Sequence, residues 1–190
     1  MNSDGESHTG RDTEREIWDC SINQVHSGPA LEEELFDCLR HTGINFAKYE
    51  NISITVEGED QIEPVSSIQE AGLHPTLVDN VTRVGYTSLT PVQKHSLPIV
   101  MVGRDLMAAA QTGSGKTAAF LIPVIHNLLE GFEPRPSEIC HKPECVIITT
   151  TRQLAIQIYN DARRFSFRSP LKTSITCGGL ATGKEMIGEG

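Results

Sequence analysis

Eight consecutive residues, Ala110-Gln111-Thr112-Gly113-Ser114-Gly115-Lys116-Thr117, have the types and spacing needed to hold a phosphate group. Two glycines let the backbone curl so that successive N–H groups converge on an anion, and a helix opening at the end of the turn adds partial positive charge. Lys116 would reach the terminal phosphates of a nucleotide, and the Thr117 hydroxyl would ligate Mg²⁺. The common form of this motif begins with glycine where the chain has Ala110, but the Gly-x-Gly-Lys-Thr end that contacts the ligand is intact. A glycine turn with a solvated lysine is the plainer alternative. The apolar run before the motif and the helical pattern after it favour the phosphate cradle.

Three further groups of residues accompany the cradle. Upstream lies Gly85-Tyr86-Thr87-Ser88-Leu89-Thr90-Pro91-Val92-Gln93. A glutamine amide offers one donor and one acceptor, which the N6/N7 edge of adenine requires, and Tyr86 offers a stacking face. The same stretch also reads as a capping box, with Thr at the N-cap, Pro at N1 and Gln at N3. Downstream, Thr150-Thr151-Arg152-Gln153-Leu154-Ala155 opens a helix. A hydroxyl, a guanidinium and free N–H groups there can grip a nucleic-acid phosphate, or Thr151 can simply cap while Arg152 is solvated. Gly178-Gly179 offers bare backbone N–H groups to another phosphate, or is a turn. Arg163, Arg164, Arg168 and Lys172 form a basic cluster open to RNA contact or to plain solvation.

These residues need a scaffold, and the pattern of the chain supplies one. Pro75 and Gly85 bracket a helix, with Leu77, Val78, Val81 and Val84 on one face. A second helix runs from Pro91 towards Gly103. Apolar stretches at 105–110, 145–149 and 173–177 read as strands, and 116–130 and 152–165 as helices. The first of these helices is apolar on nearly every side, with Pro123 expected to bend it. Strands alternating with helices imply a mostly parallel α/β sheet whose ligands sit at the C-terminal strand ends.

The globular part should begin near Ile68. Before it, residues 1–40 read as a disordered acidic tail containing one short helix at 31–39. Residues 41–67 read as an extended segment with an edge strand at 52–56. The first 67 residues carry fifteen of the 25 acidic side chains but four of the 16 basic ones, so the net charge of −9 belongs to the N-terminal third. The remainder is open to an anionic ligand. The five cysteines are scattered and odd in number, which fits free thiols in a reducing compartment; Cys140, His141 and Cys145 lack the second pair a zinc site needs. Apolar runs reach only about eight residues, too short for a membrane span. A soluble, cytoplasmic protein is expected.

Taken together these motifs resemble the DEAD-box ATP-dependent RNA helicases. The Gly85–Gln93 stretch resembles their Q motif, Ala110–Thr117 motif I, Thr150–Ala155 motif Ia, and Gly178-Gly179 the GG motif. The segment Gly43-Ile44-Asn45-Phe46-Ala47-Lys48-Tyr49 is similar to the one preceding the core in the Vasa and Ded1/PL10 branch, and 69–94 leans towards Vasa. The resemblance implies an α/β P-loop NTPase fold over 68–190, an incomplete first RecA-like domain. ATP and Mg²⁺ would be cofactors and RNA a substrate. Tyr86 and Gln93 would hold adenine, Ala110–Thr117 the phosphates, Thr117 the metal, and Thr151, Arg152, Gly178 and Gly179 the RNA backbone. ATP-driven local unwinding of RNA duplexes, a germline setting, perinuclear germ granules and germ-granule partners bound through the tail are implied in the same way.

The chain also departs from the family pattern. Ile68 stands where an aromatic residue usually precedes the Q motif, which would weaken base packing. Ser88 replaces a basic residue, and Thr150 and Gln153 replace the Pro and Glu of motif Ia. The sequence holds no Asp-Glu-Ala-Asp and no Ser-Ala-Thr. Hydrolysis needs an acid to position Mg²⁺ and water, and arginines for the transition state. A fragment of a longer helicase, inactive alone and with an exposed sheet edge, is therefore expected. The alternative is a non-catalytic truncated product that binds RNA or germ-granule proteins. A different P-loop enzyme, such as a kinase or transporter ATPase, is disfavoured by the Gly85–Gln93 stretch at its fixed distance from the cradle.

Overall fold

A computed structural model describes residues 29–37, 52–58, 60–133 and 142–176. Five helices make up its regular structure: α1 (Pro29–Asp37), α2 (Pro75–Val84), α3 (Pro91–Met101), α4 (Lys116–Glu130) and α5 (Arg152–Phe165).

The ends of α2 follow from its boundary residues. Pro75 supplies a preset φ and lacks the N–H that would otherwise be orphaned in the first turn. Gly85 stops the helix with φ 100°, a left-handed conformation that a side chain would strain. Its N–H and that of Tyr86 return to Thr82 O and Val81 O. At the N-terminus, the backbone N–H of His74 donates to Nδ1 of His126 on α4 at 3.1 Å, tying two helices together.

The core is helical. Leu77 and Val81 of α2, Leu97 of α3, Leu121, Ile122 and Ile125 of α4 and Phe165 of α5 are almost wholly buried in one cluster. α4 is its axis, packed chiefly along α3 and also against α2 and α5, and it buries Pro123 within its length. Ile68, at the family's aromatic position, is part of this core. Asn80 is a buried polar exception: its Nδ2 donates to Phe165 O at 2.9 Å and to Phe167 O at 2.7 Å. One amide thereby fixes the turn after α5 against α2.

The helix expected at 31–39 forms at Pro29–Asp37, and α1 is docked against α5 rather than free. The strands are a different matter. No strand forms among the described residues: 52–56, 105–110, 145–149 and 173–176 have no regular structure. The expected burial of 145–149 is likewise corrected, with Val146 70% and Ile148 91% exposed. Met107, in the run before the cradle, is 96% exposed. A helix satisfies its own backbone, whereas a strand depends on the N–H and C=O groups of a neighbour remote in sequence. Cys177, Gly178 and Gly179 lie outside the described residues, as do Cys140 and His141. No helix among the described residues is long and apolar enough to cross a membrane.

Two measurements test this packing. Asn80→Leu leaves two buried carbonyls without donors and should lower stability by about 2–3 kcal/mol in denaturant titrations. His126 titrates below the ordinary histidine range, first because burial disfavours its charge and also because His74 is near, while Glu130 opposes the shift. The unfolded chain therefore takes up this proton first as pH falls. The stability held above pH ~6.5 should decline below it. His126→Gln, neutral and able to accept the same bond, should remove that decline.

Candidate nucleotide site

The cradle sits where α4 begins. Gly113 and Gly115 have φ of 81° and 83°, the left-handed values that curl the turn back on itself. Gly115 is the N-cap of α4, and its carbonyl accepts from Ala119 N as the helix opens. Lys116 and Thr117 are thus the first two helical residues, close to the positive end of a helix with no acidic residue in its first turn.

The Q-like stretch is joined directly to this turn. Gln93, the third residue of α3, is fully buried. Its Oε1 accepts the N–H of Thr90 at 2.9 Å, and its Nε2 donates to Gly115 O at 3.2 Å. One partner is a donor and the other an acceptor, so the amide has only one workable orientation. Thr90, the N-cap of α3, sends its hydroxyl proton to Ser114 O at 2.8 Å. Two carbonyls of the phosphate turn are therefore anchored to the first turn of α3. A Cβ on Gly115 would lie 2.4 Å from Gln93 Nε2, so position 115 demands glycine for space as well as for φ.

Lys116 is folded back, with Nζ donating to Ala110 O and to Gln111 O. Gln111, Thr112 and Gly113 at the crest of the turn are exposed. The Ser114 hydroxyl is buried without a hydrogen-bond partner. An orphaned hydroxyl, positive-φ glycines and an ammonium spending its donors on backbone carbonyls all fit a site built for an anion. ATP and Mg²⁺ suit this donor set: backbone N–H groups and Lys116 for phosphate oxygens, and the Thr117 hydroxyl for the metal.

Tyr86 follows the Gly85 cap and is half-buried, edge-on to Phe165 with centroids 5.9 Å apart. Burial chiefly pushes its phenol up to about 12; Asp161 adds to the rise and Arg164 opposes it. The ring is neutral across the physiological range. Thr151 caps α5, its hydroxyl accepting Leu154 N at 3.3 Å, and Arg152 is exposed. The capping role read for Thr151 is present, as is capping by Gln93.

The comparisons with known proteins bear on this arrangement. Residues 90–187 match the family model described as DEAD/DEAH box helicase. The chain belongs to this family.

Within it, the chain is 49% identical to the ATP-dependent RNA helicase vasa of Drosophila melanogaster, over 78% of this chain and 22% of that protein. It is 48% identical to the ATP-dependent RNA helicase DDX4 of Mus musculus, over 75% of this chain and 20% of that protein. The chain thus spans about a fifth of the length of these Vasa-like relatives. Among solved structures it resembles the RNA helicase Prp28 of Chaetomium thermophilum bound to ADP, with TM-score 0.52 and 39% identity over 58% of this chain and 26% of that one. A DEAD box protein from Methanococcus jannaschii gives TM-score 0.54 and 28% identity over 62% of this chain and 30% of that one. The helical body described above is a DEAD-box helicase domain in part.

Sequence reasoning did not find the Thr90–Ser114 bond. Its signal was in plain view, since an N-cap threonine has a proton to give as well as a lone pair. The geometry makes one prediction. Gly115→Ala forces a methyl against Gln93 and strains φ, so it should cost about 1–3 kcal/mol of stability in thermal melts. A melt unchanged from the parent would remove the argument for a shared α3–cradle unit.

Proposed function

We propose that this chain is the nucleotide-binding part of an ATP-dependent RNA helicase. The observation that carries the reading is the Gln93 amide held between Thr90 N–H and Gly115 O, which makes the base-side glutamine and the phosphate turn one hydrogen-bonded unit. The backbone of Gly113, Ser114 and Gly115 and the Lys116 ammonium hold the β- and γ-phosphates, and Thr117 ligates Mg²⁺. Tyr86 and Gln93 receive the adenine, for which the buried Gln93 amide has first to be uncovered. Thr151, Arg152, Gly178 and Gly179 contact the RNA backbone.

In this reading residues 68–190 are part of a first RecA-like domain and 1–40 and 41–67 lie outside it; 105–110 and 145–149, irregular here, become strands of its parallel sheet only where the whole helicase supplies their backbone partners. Bound nucleotide and RNA are coupled to local duplex unwinding in the whole helicase, in the cytoplasm. The acidic and arginine groups that hydrolysis requires come from beyond the residues of this chain. The second reading is a non-catalytic truncated product that binds RNA or germ-granule proteins.

Isothermal titration of the chain with Mg-ATP and Mg-GTP tests the proposal. ATP should bind in preference to GTP. Lys116→Ala should weaken ATP by roughly 10- to 100-fold, the value of a charge-assisted contact to phosphate. Equal binding of ATP by the variant and the parent would sink the assignment of the cradle.

A further inference from the structure

The short acidic helix α1 meets the body at several points that the nucleotide-site reading leaves unused. Leu35 is 5% exposed, and Phe36 stands edge-on to Phe167 with centroids 5.5 Å apart. Glu32 bridges Arg83, in the last turn of α2, and Arg168, in the segment after α5, the latter at 2.9 Å. Glu34 lies 3.7 Å from Arg163. A buried leucine and an aromatic edge contact make this a seated helix, since exposed ion pairs alone contribute little.

Arg164 is the contact that reaches inward. Its Nε donates to the carbonyl of Leu35 at 2.9 Å, while its NH1 group donates to Asp161 Oδ1 at 3.0 Å. The guanidinium has a fixed fork, so anchoring one arm on α1 orients the other. Tyr86 rests edge-on against Phe165, the residue after Arg164, with ring centroids 5.9 Å apart, and the charges of Asp161 and Arg164 act on its phenol in opposite senses. Arg83, held by Glu32, is two residues before Gly85, where the chain turns into Tyr86. Both attachments of α1 thus converge on the same tyrosine.

We infer that α1 is a clasp for the base side of the nucleotide site, with Arg164 the positioning residue that transmits its docking through the adjoining Phe165 to Tyr86. The inference rests on the reading of Tyr86 as an adenine contact. It makes affinity for the base, and not for the phosphates, depend on a helix outside the family match at 90–187. Lys116 and the glycine turn are attached through α3 and Gln93, so undocking α1 leaves the phosphate cradle as it is.

The test compares Mg-ATP with Mg-tripolyphosphate, which carries the same three phosphates without the nucleoside, by titration of the full chain. Leu35→Asp undocks α1, as hydrogen exchange at residues 29–37 would report. Arg164→Lys keeps the charge but loses the fork. Each variant should weaken ATP on the order of fivefold, the value of a positioned aromatic contact, and leave tripolyphosphate unchanged. Arg164→Lys carries the test should Leu35→Asp not fold. Unchanged ATP affinity, or an equal loss for both ligands, overturns the clasp. Failure of the underlying reading has a different signature: the parent chain itself would hold ATP no better than tripolyphosphate, and the clasp would fall with it.

Discussion

The arrangement of the site depends on one side-chain amide. Gln93 is sealed inside the protein and satisfies a donor on its own helix and an acceptor on the phosphate turn. No other side chain of that length does both. A glutamate would lose the donor and bury a charge, a methionine would orphan both backbone groups, and an asparagine is one methylene short. Because Gly115 is fixed by this bond, the start of α4 is fixed, and with it Lys116 and Thr117. The close approach that excludes a Cβ from position 115 is the steric side of the same constraint.

The α3–α4 pair therefore has two kinds of attachment. Along its length the union is apolar, through Leu97 and the buried face of α4. At the ligand end it is polar, through Thr90 and Gln93. Apolar packing supplies much of the stability but tolerates small shifts, whereas two hydrogen bonds to consecutive carbonyls set the turn to within a fraction of an ångström. This division of labour suits a site in which backbone N–H groups must converge on one ligand.

The helices were legible because each carries its own punctuation and hydrogen bonds. Pro75 and Gly85 mark α2, Thr90-Pro91 opens α3, and α4 and α5 occupy the ranges their patterns indicate. The strands were not, because an apolar run such as 145–149 becomes a strand only beside a partner that local sequence does not contain. The docking of α1 was also hidden. Its short helix could be seen, but Glu32 meets arginines 51 and 136 residues away, and no spacing rule connects them. The types of the site residues were readable and their present contacts were not. Gln93 fits both a cap and an adenine reader, and its sequence context alone could not reveal that the cap extends to the phosphate turn.

The posture of Lys116 bears on how a ligand enters. Its ammonium rests on the carbonyls of Ala110 and Gln111, two acceptors of the turn that a nucleotide would occupy. On the nucleotide-binding reading, capture is an exchange of acceptors: carbonyl oxygens are given up as phosphate oxygens are gained. The heat released is then the difference between two similar sets of bonds and is correspondingly small. Much of the driving force falls to the stronger charge of the phosphate and to water set free when ion and ligand meet. The lysine also keeps the glycine turn from wandering before the ligand arrives, so less disorder is lost on binding than an open, unoccupied loop would surrender.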